Sequence, residues 1–387
     1  MSGFFVSKRL NPIFSSQLCA MTLRSFFAVF FVGLTSCTQE IVNDSGKQDQ
    51  RNSVITHAEH LQIFDEDSIV RIHIIRGEGH SHVKLLLANR KPSAIPEGYS
   101  FIQTPIDRIA ALSSTQIGML EKIGSLSSIC AVSNKKYIYS SKLIQKINSG
   151  SVRSLGDEGT IPAESIIQSG SKYVIFSDFG QDFPHVKQLA AMGILCIPNP
   201  DWRETHPLGK AEWMKFFGYL TGKKEKTNEI FNETVKAYTD LVNKTKGLAN
   251  KPLITSGNMI GDIWYAPAGN SYNARLIEHA GANYIYKNSA GTGSIERSAE
   301  QVIQDNQKTE FWINPGFTTK QQILLNFPKL KHLSFIDGIN IYCYSKQMNR
   351  FWELGAAEPH HVLEDLIRIV HPELLPTGKM YFYTVVN

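Results

Sequence analysis

The chain has 387 residues, too many for one ordinary core and suited to two domains with extensions. Hydrophobic residues make up 42% and charged residues 19%, which excludes an intrinsically disordered protein. Three of its 40 Lys and Arg (Lys8, Arg9, Arg24) precede Cys37 and none of its 35 acids does, so the remainder carries +2 and gives no case for a nucleic-acid surface.

The only strongly apolar run lies near the start, which argues against several membrane spans. Residues 21–37 read MTLRSFFAVFFVGLTSC. Arg24 gives a positive n-region and Phe26 to Val32 a short apolar run, the pattern of a secretory signal. Leu34-Thr35-Ser36-Cys37 resembles the bacterial lipobox, which makes Cys37 the expected lipidation site and lipid-bearing N-terminus. The first twenty residues have no place in such a signal, so Met21 is a candidate start. The polar stretch after Cys37 reads as a flexible tether for a body held at a membrane.

From Leu61 to Arg90 apolar and polar residues alternate around Gly77 and Gly79, which predicts a β-hairpin. Ile106 to Leu112 predicts a strand, and Ser113 to Gln116 offers capping chemistry for a helix ending near Gly124. Strands at 129–132, 173–176 and 194–197 alternate with helices beginning at Glu164 and His185, as in a parallel α/β lobe. Between Pro207 and Leu248 the pattern is purely helical, with Phe231, Val235, Tyr238 and Val242 on one stripe. Alternation then resumes through strands at 253–255, 311–313 and 339–342 and a helix from Pro359 to Val370. The expected divisions are a signal region 1–36, a tether 37–60, a hairpin extension 61–100, an N-terminal lobe 101–206, a helical connector 207–249 and a C-terminal lobe 250–387.

None of the five cysteines lies in a CxxC pair, and Cys130 and Cys196 read as small buried hydrophobes. His73, His80 and His82 cluster in the hairpin, outside the lobes, and read as solvated; no metal site is assigned. No GxSxG, HExxH or GxxxxGK[ST] motif is present, so no catalytic residue is assigned. An enzyme is not expected, although a two-lobed hydrolase remains an alternative, because fold does not set function.

The order of elements resembles the helix-linked (class III) substrate-binding proteins of ABC importers, which carry cobalamin, siderophores and haem, here in lipoprotein form. Pro105 to Gln116 with Leu120 and Gly124 is similar to that family's opening strand, ligand loop and first helix. Leu155-Gly156, Ile161 to Ile167 and Lys172 to Phe176 are similar to a segment of the first lobe, and Ser298 to Ile303 with Glu310 to Ile313 repeat it in the second. Ser169-Gly170-Ser171 stands where the family commonly has Pro-Asp. The resemblance implies two Rossmann-like lobes with central parallel sheets joined by one long α-helix, with the hairpin added.

A ligand held between such lobes needs an apolar floor and a few aimed polar groups, drawn from loops at the carboxyl ends of strands. The candidates are Ser114, Gln116, Tyr137, Phe179, Trp202 and Arg203 in the first lobe and Trp264, Tyr265, Tyr272, Arg350 and Trp352 in the second. Flat aromatics suit a macrocycle or aryl chelate, and arginine suits its carboxylates. The expected cargo is an iron chelate (siderophore or haem) or cobalamin, with no resident cofactor; a zinc or manganese receptor is the alternative. Glu164 and Glu300 open matching helices and, by the resemblance, dock onto a permease dimer with its ATPase subunits. A monomer facing the periplasm is expected.

Overall fold

The computed structural model describes residues 52–387 apart from positions 78, 333–335, 337–339 and 345–349. Cys37, the signal run and the start of the tether lie outside the described residues. Alternating side chains build β1 (Leu61–Glu66), β2 (Ile69–Ile74) and β3 (Val83–Ala88), which pair antiparallel in sequence. The expected hairpin is thus a three-stranded meander, and β4 (Tyr99–Gln103) adds to it in parallel with β3. Leu61, Ile63, Ile72, Ile74, Leu85, Leu87 and Ile102 point inward and share one core with the first lobe's Ile117 and Leu120 and the connector's Phe216 and Phe217. The extension is therefore fused to the lobe, because its apolar face has no other surface to cover it.

The first lobe runs β5 (Ile109–Ala111), α1 (Ser114–Lys122), β6 (Ile129–Val132), α2 (Ser141–Asn148), β7 (Arg153–Ser154), α3 (Ala163–Gln168), β8 (Tyr173–Ser177), α4 (Val186–Ala191) and β9 (Leu195–Asn199). Its sheet is wholly parallel in the order β7-β6-β5-β8-β9. Every residue of β5 and β6 is buried, as expected for central strands covered on both faces. The strand order reverses direction between β5 and β8, so the loops leaving these two strands diverge and open a crevice.

The connector comprises α5 (Pro207–Glu212), α6 (Met214–Leu220) and the 22-residue α7 (Lys224–Thr245), about 33 Å long. Gly218 lets α6 approach α7, since a Cβ there would lie 2.4 Å from the Thr227 hydroxyl. The apolar stripe of α7 serves both lobes: Phe231 packs into the first core, Tyr238 and Leu241 into the second.

The second lobe continues with β10 (Leu253–Ser256), β11 (Asn258–Ile260), β12 (Ile263–Pro267), α8 (Tyr272–His279), β13 (Asn283–Tyr284), β14 (Ser294–Ser298), α9 (Ala299–Asp305), β15 (Phe311–Ile313), α10 (Lys320–Asn326), β16 (Asn340–Tyr344), α11 (Phe351–Leu354), α12 (Pro359–Val370) and β17 (Tyr383–Val385). The main sheet has the order β13-β10-β15-β16-β17, parallel except for β17, and reverses between β10 and β15. A separate antiparallel sheet, β11-β12-β14, was not foreseen from the sequence. Among the described residues no helix is long and apolar enough to cross a membrane.

Two buried carboxylates pin the chain where the tether meets the body. Glu212 accepts the backbone N–H groups of Thr56 (3.0 Å), His57 (2.7 Å) and Ala58 (3.0 Å), and Lys215 Nζ lies 2.8 Å away. Glu204 accepts those of Glu59 (2.7 Å) and His60 (3.1 Å) and the Trp213 indole N–H (2.9 Å). Burial raises the Glu204 carboxyl; it would raise Glu212 too, but Lys215 and these N–H groups hold Glu212 below its ordinary value.

Candidate functional site

The carboxyl ends of β8 and β9 carry the densest chemistry. Asp178, directly after β8, is 2% exposed, and its Oδ1 accepts the Gly180 N–H (3.1 Å), which tightens the turn holding Phe179. Phe179 is thereby projected outward, 70% exposed, and its ring lies 5.7 Å from that of Trp202. Trp202 sits in the short turn after β9 and donates its indole N–H to the Asp178 carbonyl (2.8 Å). The Arg203 guanidinium lies 5.5 Å from the Trp202 ring. A Cβ on Gly293, in the turn before β14, would meet the Trp202 ring edge at 3.9 Å, so this tryptophan reaches across to the second lobe.

Residues flanking Trp202 in the sequence carry orphaned polar atoms. Asn199 Nδ2, Asp201 Oδ2 and Arg203 Nε are buried with no hydrogen-bond partner. Groups so placed lose their hydration without replacement, which is what a ligand or ordered water restores. Burial raises the Asp201 carboxyl, partly countered by Lys210. Lys210, on the fully buried α5, stands 4.3 Å from the ring of Tyr272 at the start of α8, joining the connector to the second lobe. Glu158, in the loop after β7, accepts the Ser177 N–H (2.6 Å), and burial pushes its carboxyl up to about 7.

The other expected residues divide. Ser114 is the half-buried first residue of α1. Gln116 acts in a capping box, its Oε1 accepting the Leu112 (3.1 Å) and Ser113 (3.4 Å) N–H groups, while its buried Nε2 lacks a partner beside the first lobe's crevice. Tyr137 is half-buried under Lys136.

Four second-lobe placements need correction. Trp264, expected on a loop, lies on β12 with no exposure, 5.1 Å from Trp312, because the unforeseen small sheet covers it. Tyr265 is its half-buried neighbour on that strand. Trp352 is on α11, packed edge-on at 5.0 Å from Tyr344. Arg350 is engaged by Glu121 and Glu353 rather than open to a ligand. Its chain segment crosses back to α1, which sequence periodicity did not reveal.

Lys210 and Glu158 were not among the expected site residues. Lys210 had a legible signal: with Glu212 and Lys215 it interrupts an otherwise apolar helical run, and charges so placed need partners. Among the described residues no group of three or more His, Cys, Asp or Glu is arranged to hold a metal ion. A mostly polar recess lined by Ile285, Tyr286, Arg297, Gln301, Gln304 and Asp305 belongs to the second lobe alone, so it is a weaker candidate than the crevice. Glu164 and Glu300 are both exposed in the first turns of α3 and α9.

Residues 109–347 match the periplasmic binding protein family. An uncharacterized lipoprotein of Methanocaldococcus jannaschii is 26% identical over 302 residues, covering 75% of this chain and 71% of its own. A periplasmic heme binding protein from Pseudomonas aeruginosa superposes with a TM-score of 0.54 at 14% identity, over 73% of this chain and 98% of that one. A protein of an ABC-type Fe3+-hydroxamate transport system from Saccharomonospora viridis gives 0.52 at 16% identity, over 71% and 95%. At these identities the two structures speak to the fold. With its two five-stranded lobe sheets, its spanning α7 and a matched region covering well over half the sequence, the chain belongs to the periplasmic binding protein family, in its helix-linked form.

Proposed function

We propose that the chain is an exported lipoprotein that captures a metal chelate, either an iron chelate (siderophore or haem) or cobalamin, between its lobes and delivers it to an ABC permease. The observation that carries this reading is the Phe179–Trp202 pair, its rings tilted 34° to each other and partly exposed at the carboxyl edge of the first sheet, with Arg203 on one side and Gly293 of the second lobe on another. Such a surface stacks on a planar or aryl chelate, and the buried, unpartnered atoms of Asn199, Asp201 and Arg203, beside Trp202 in the sequence, offer polar contacts. The fold shared with a heme binding protein and with a protein of a ferric hydroxamate system supports a chelated metal as cargo. The spanning α7 packs into both cores, which resists wide hinge opening, so release would depend on the permease gripping both lobes at once.

The test is an absorbance and tryptophan-fluorescence titration of the mature chain with haemin, cyanocobalamin and ferric hydroxamate and catecholate siderophores. Saturable quenching by one of them, lost in Trp202→Ala, is the expected result. Failure of every chelate to bind overturns the reading.

A further inference from the structure

The β2–β3 loop reaches the crevice, although the sequence places it outside both lobes. Arg76 on this loop makes a bidentate pair with Asp178, Nε to Oδ2 at 2.8 Å and Nη2 to Oδ1 at 3.0 Å. Both side chains are withdrawn from water, 9% and 2% exposed, and Arg76 also reaches Asp182 at 3.0 Å. Burial alone would raise the Asp178 carboxyl, but Arg76 brings it below its ordinary value. The same Asp178 oxygen that accepts Arg76 Nη2 accepts the Gly180 N–H, so a single carboxylate ties the loop to the turn presenting Phe179.

Two further contacts extend this tie. A Cβ on Gly77 would lie 2.4 Å from Arg203 Nη1, so the loop backbone runs flat against the guanidinium beside Trp202. His80 Nε2 lies 3.8 Å from the Cβ position of Gly180 and is half-buried there.

We infer that the β2–β3 loop is a third wall of the ligand crevice, in which Gly77 seats Arg203 and His80 contacts the bound molecule through an anionic oxygen at its edge. The inference rests on the capture reading above and adds the element that selects among chelates. A flat ring stacked on Phe179 and Trp202 brings its rim toward Arg203 on one side and the imidazole of His80 on the other. Carboxylate or hydroxamate oxygens at that rim match a guanidinium and an imidazole donor. A chelate with a neutral rim gains nothing from either.

The test compares wild type, His80→Ala and Gly77→Val by titration with haemin, ferric hydroxamate and catecholate siderophores and cyanocobalamin, with melting temperature measured alongside. Gly77 has no positive φ, so valine is accommodated by the backbone and acts by displacing the flexible Arg203 side chain. Both variants are expected to weaken the chelate that wild type binds by roughly tenfold while melting as wild type does. Arg76→Ala is unsuitable alone, since it strands a buried carboxylate. Wild-type affinity in both variants overturns the third wall and leaves chelate capture standing. Wild type that binds no chelate overturns both.

Discussion

Arg350, at the entrance to α11, donates to Glu121 on α1 with Nη1 3.0 Å from Oε1, joining the C-terminal part of the chain to the first lobe. Its Nε lies 2.6 Å from the fully buried Glu353, whose other oxygen accepts the backbone N–H groups of Tyr139 (2.8 Å) and Ser140 (3.1 Å). Burial alone would raise the Glu121 carboxyl, but the bond to Arg350 brings it below its ordinary value. Arg350→Ala therefore leaves the buried Oε2 of Glu353, on α11, without its cationic partner. The expected loss is roughly 2–4 kcal/mol, less than the ~3–5 of a fully buried pair because Arg350 retains some exposure. Urea unfolding measures it, and an unchanged midpoint would remove Arg350 from the joint.

The two tryptophans separate stability from binding. Trp264→Ala opens a cavity against Trp312 and should cost about 3–5 kcal/mol of stability. Trp202→Ala should leave the melting temperature nearly unchanged and weaken ligand binding by roughly 1–3 kcal/mol, the scale of a lost aromatic anchor. A stable Trp264→Ala with lost binding would reverse these roles.

A row of histidines at the lobe junction makes stability depend on pH. His206 stacks with His57 at 5.8 Å and lies 5.6 Å from His279, and Tyr238 bonds His279 at 2.9 Å. Burial, then His279, His57 and Arg275, lower the His206 imidazole to about 4 from its ordinary 6.5. Its folded value is depressed, so the stability it contributes is present above 6.5 and is lost as pH falls toward 4. That interval corresponds to at most about 3 kcal/mol. Glu158 has the opposite sign: its raised value favours the folded state as pH falls below about 7. A difference measurement isolates the histidine. His206→Asn keeps an acceptor for the Leu208 N–H and should flatten urea midpoints between pH 7 and 4. An unaltered slope would assign the pH dependence elsewhere.

Glu164 and Glu300 test delivery. Both are exposed at matching helix starts, and Glu300 lies 3.5 Å from Lys329, too open a pair to matter for folding. Replacing both with Ala should leave chelate affinity intact and reduce association with the permease and its ligand-stimulated ATP hydrolysis. Uptake at the wild-type rate would exclude docking through this pair.

Much of the fold was legible because periodicity survives folding. The predicted strands at 129–132 and 311–313 and the helix at 359–370 stand where the alternation placed them. The small sheet escaped because β11 and β12 are separated by only Gly261 and Asp262 and read as a turn around Trp264. In the site, Trp202 and Phe179 were readable as aromatics following strands. Arg76 was not, since its partner Asp178 lies 102 residues away and pairing at that distance leaves no local pattern.

Cys37→Ala tests the address: the variant should accumulate as unprocessed precursor or leave the membrane fraction. A processed variant that still sediments with membranes would exclude lipid attachment at this residue.

Native mass spectrometry of the mature chain mixed with haemin, cyanocobalamin and ferric siderophores tests the central claim most directly. Capture between the lobes predicts one chelate retained per chain, with selection of a single member of the mixture and loss of that complex in Trp202→Ala. Only unliganded chain, or several chelates adsorbed alike to wild type and variant, would contradict it.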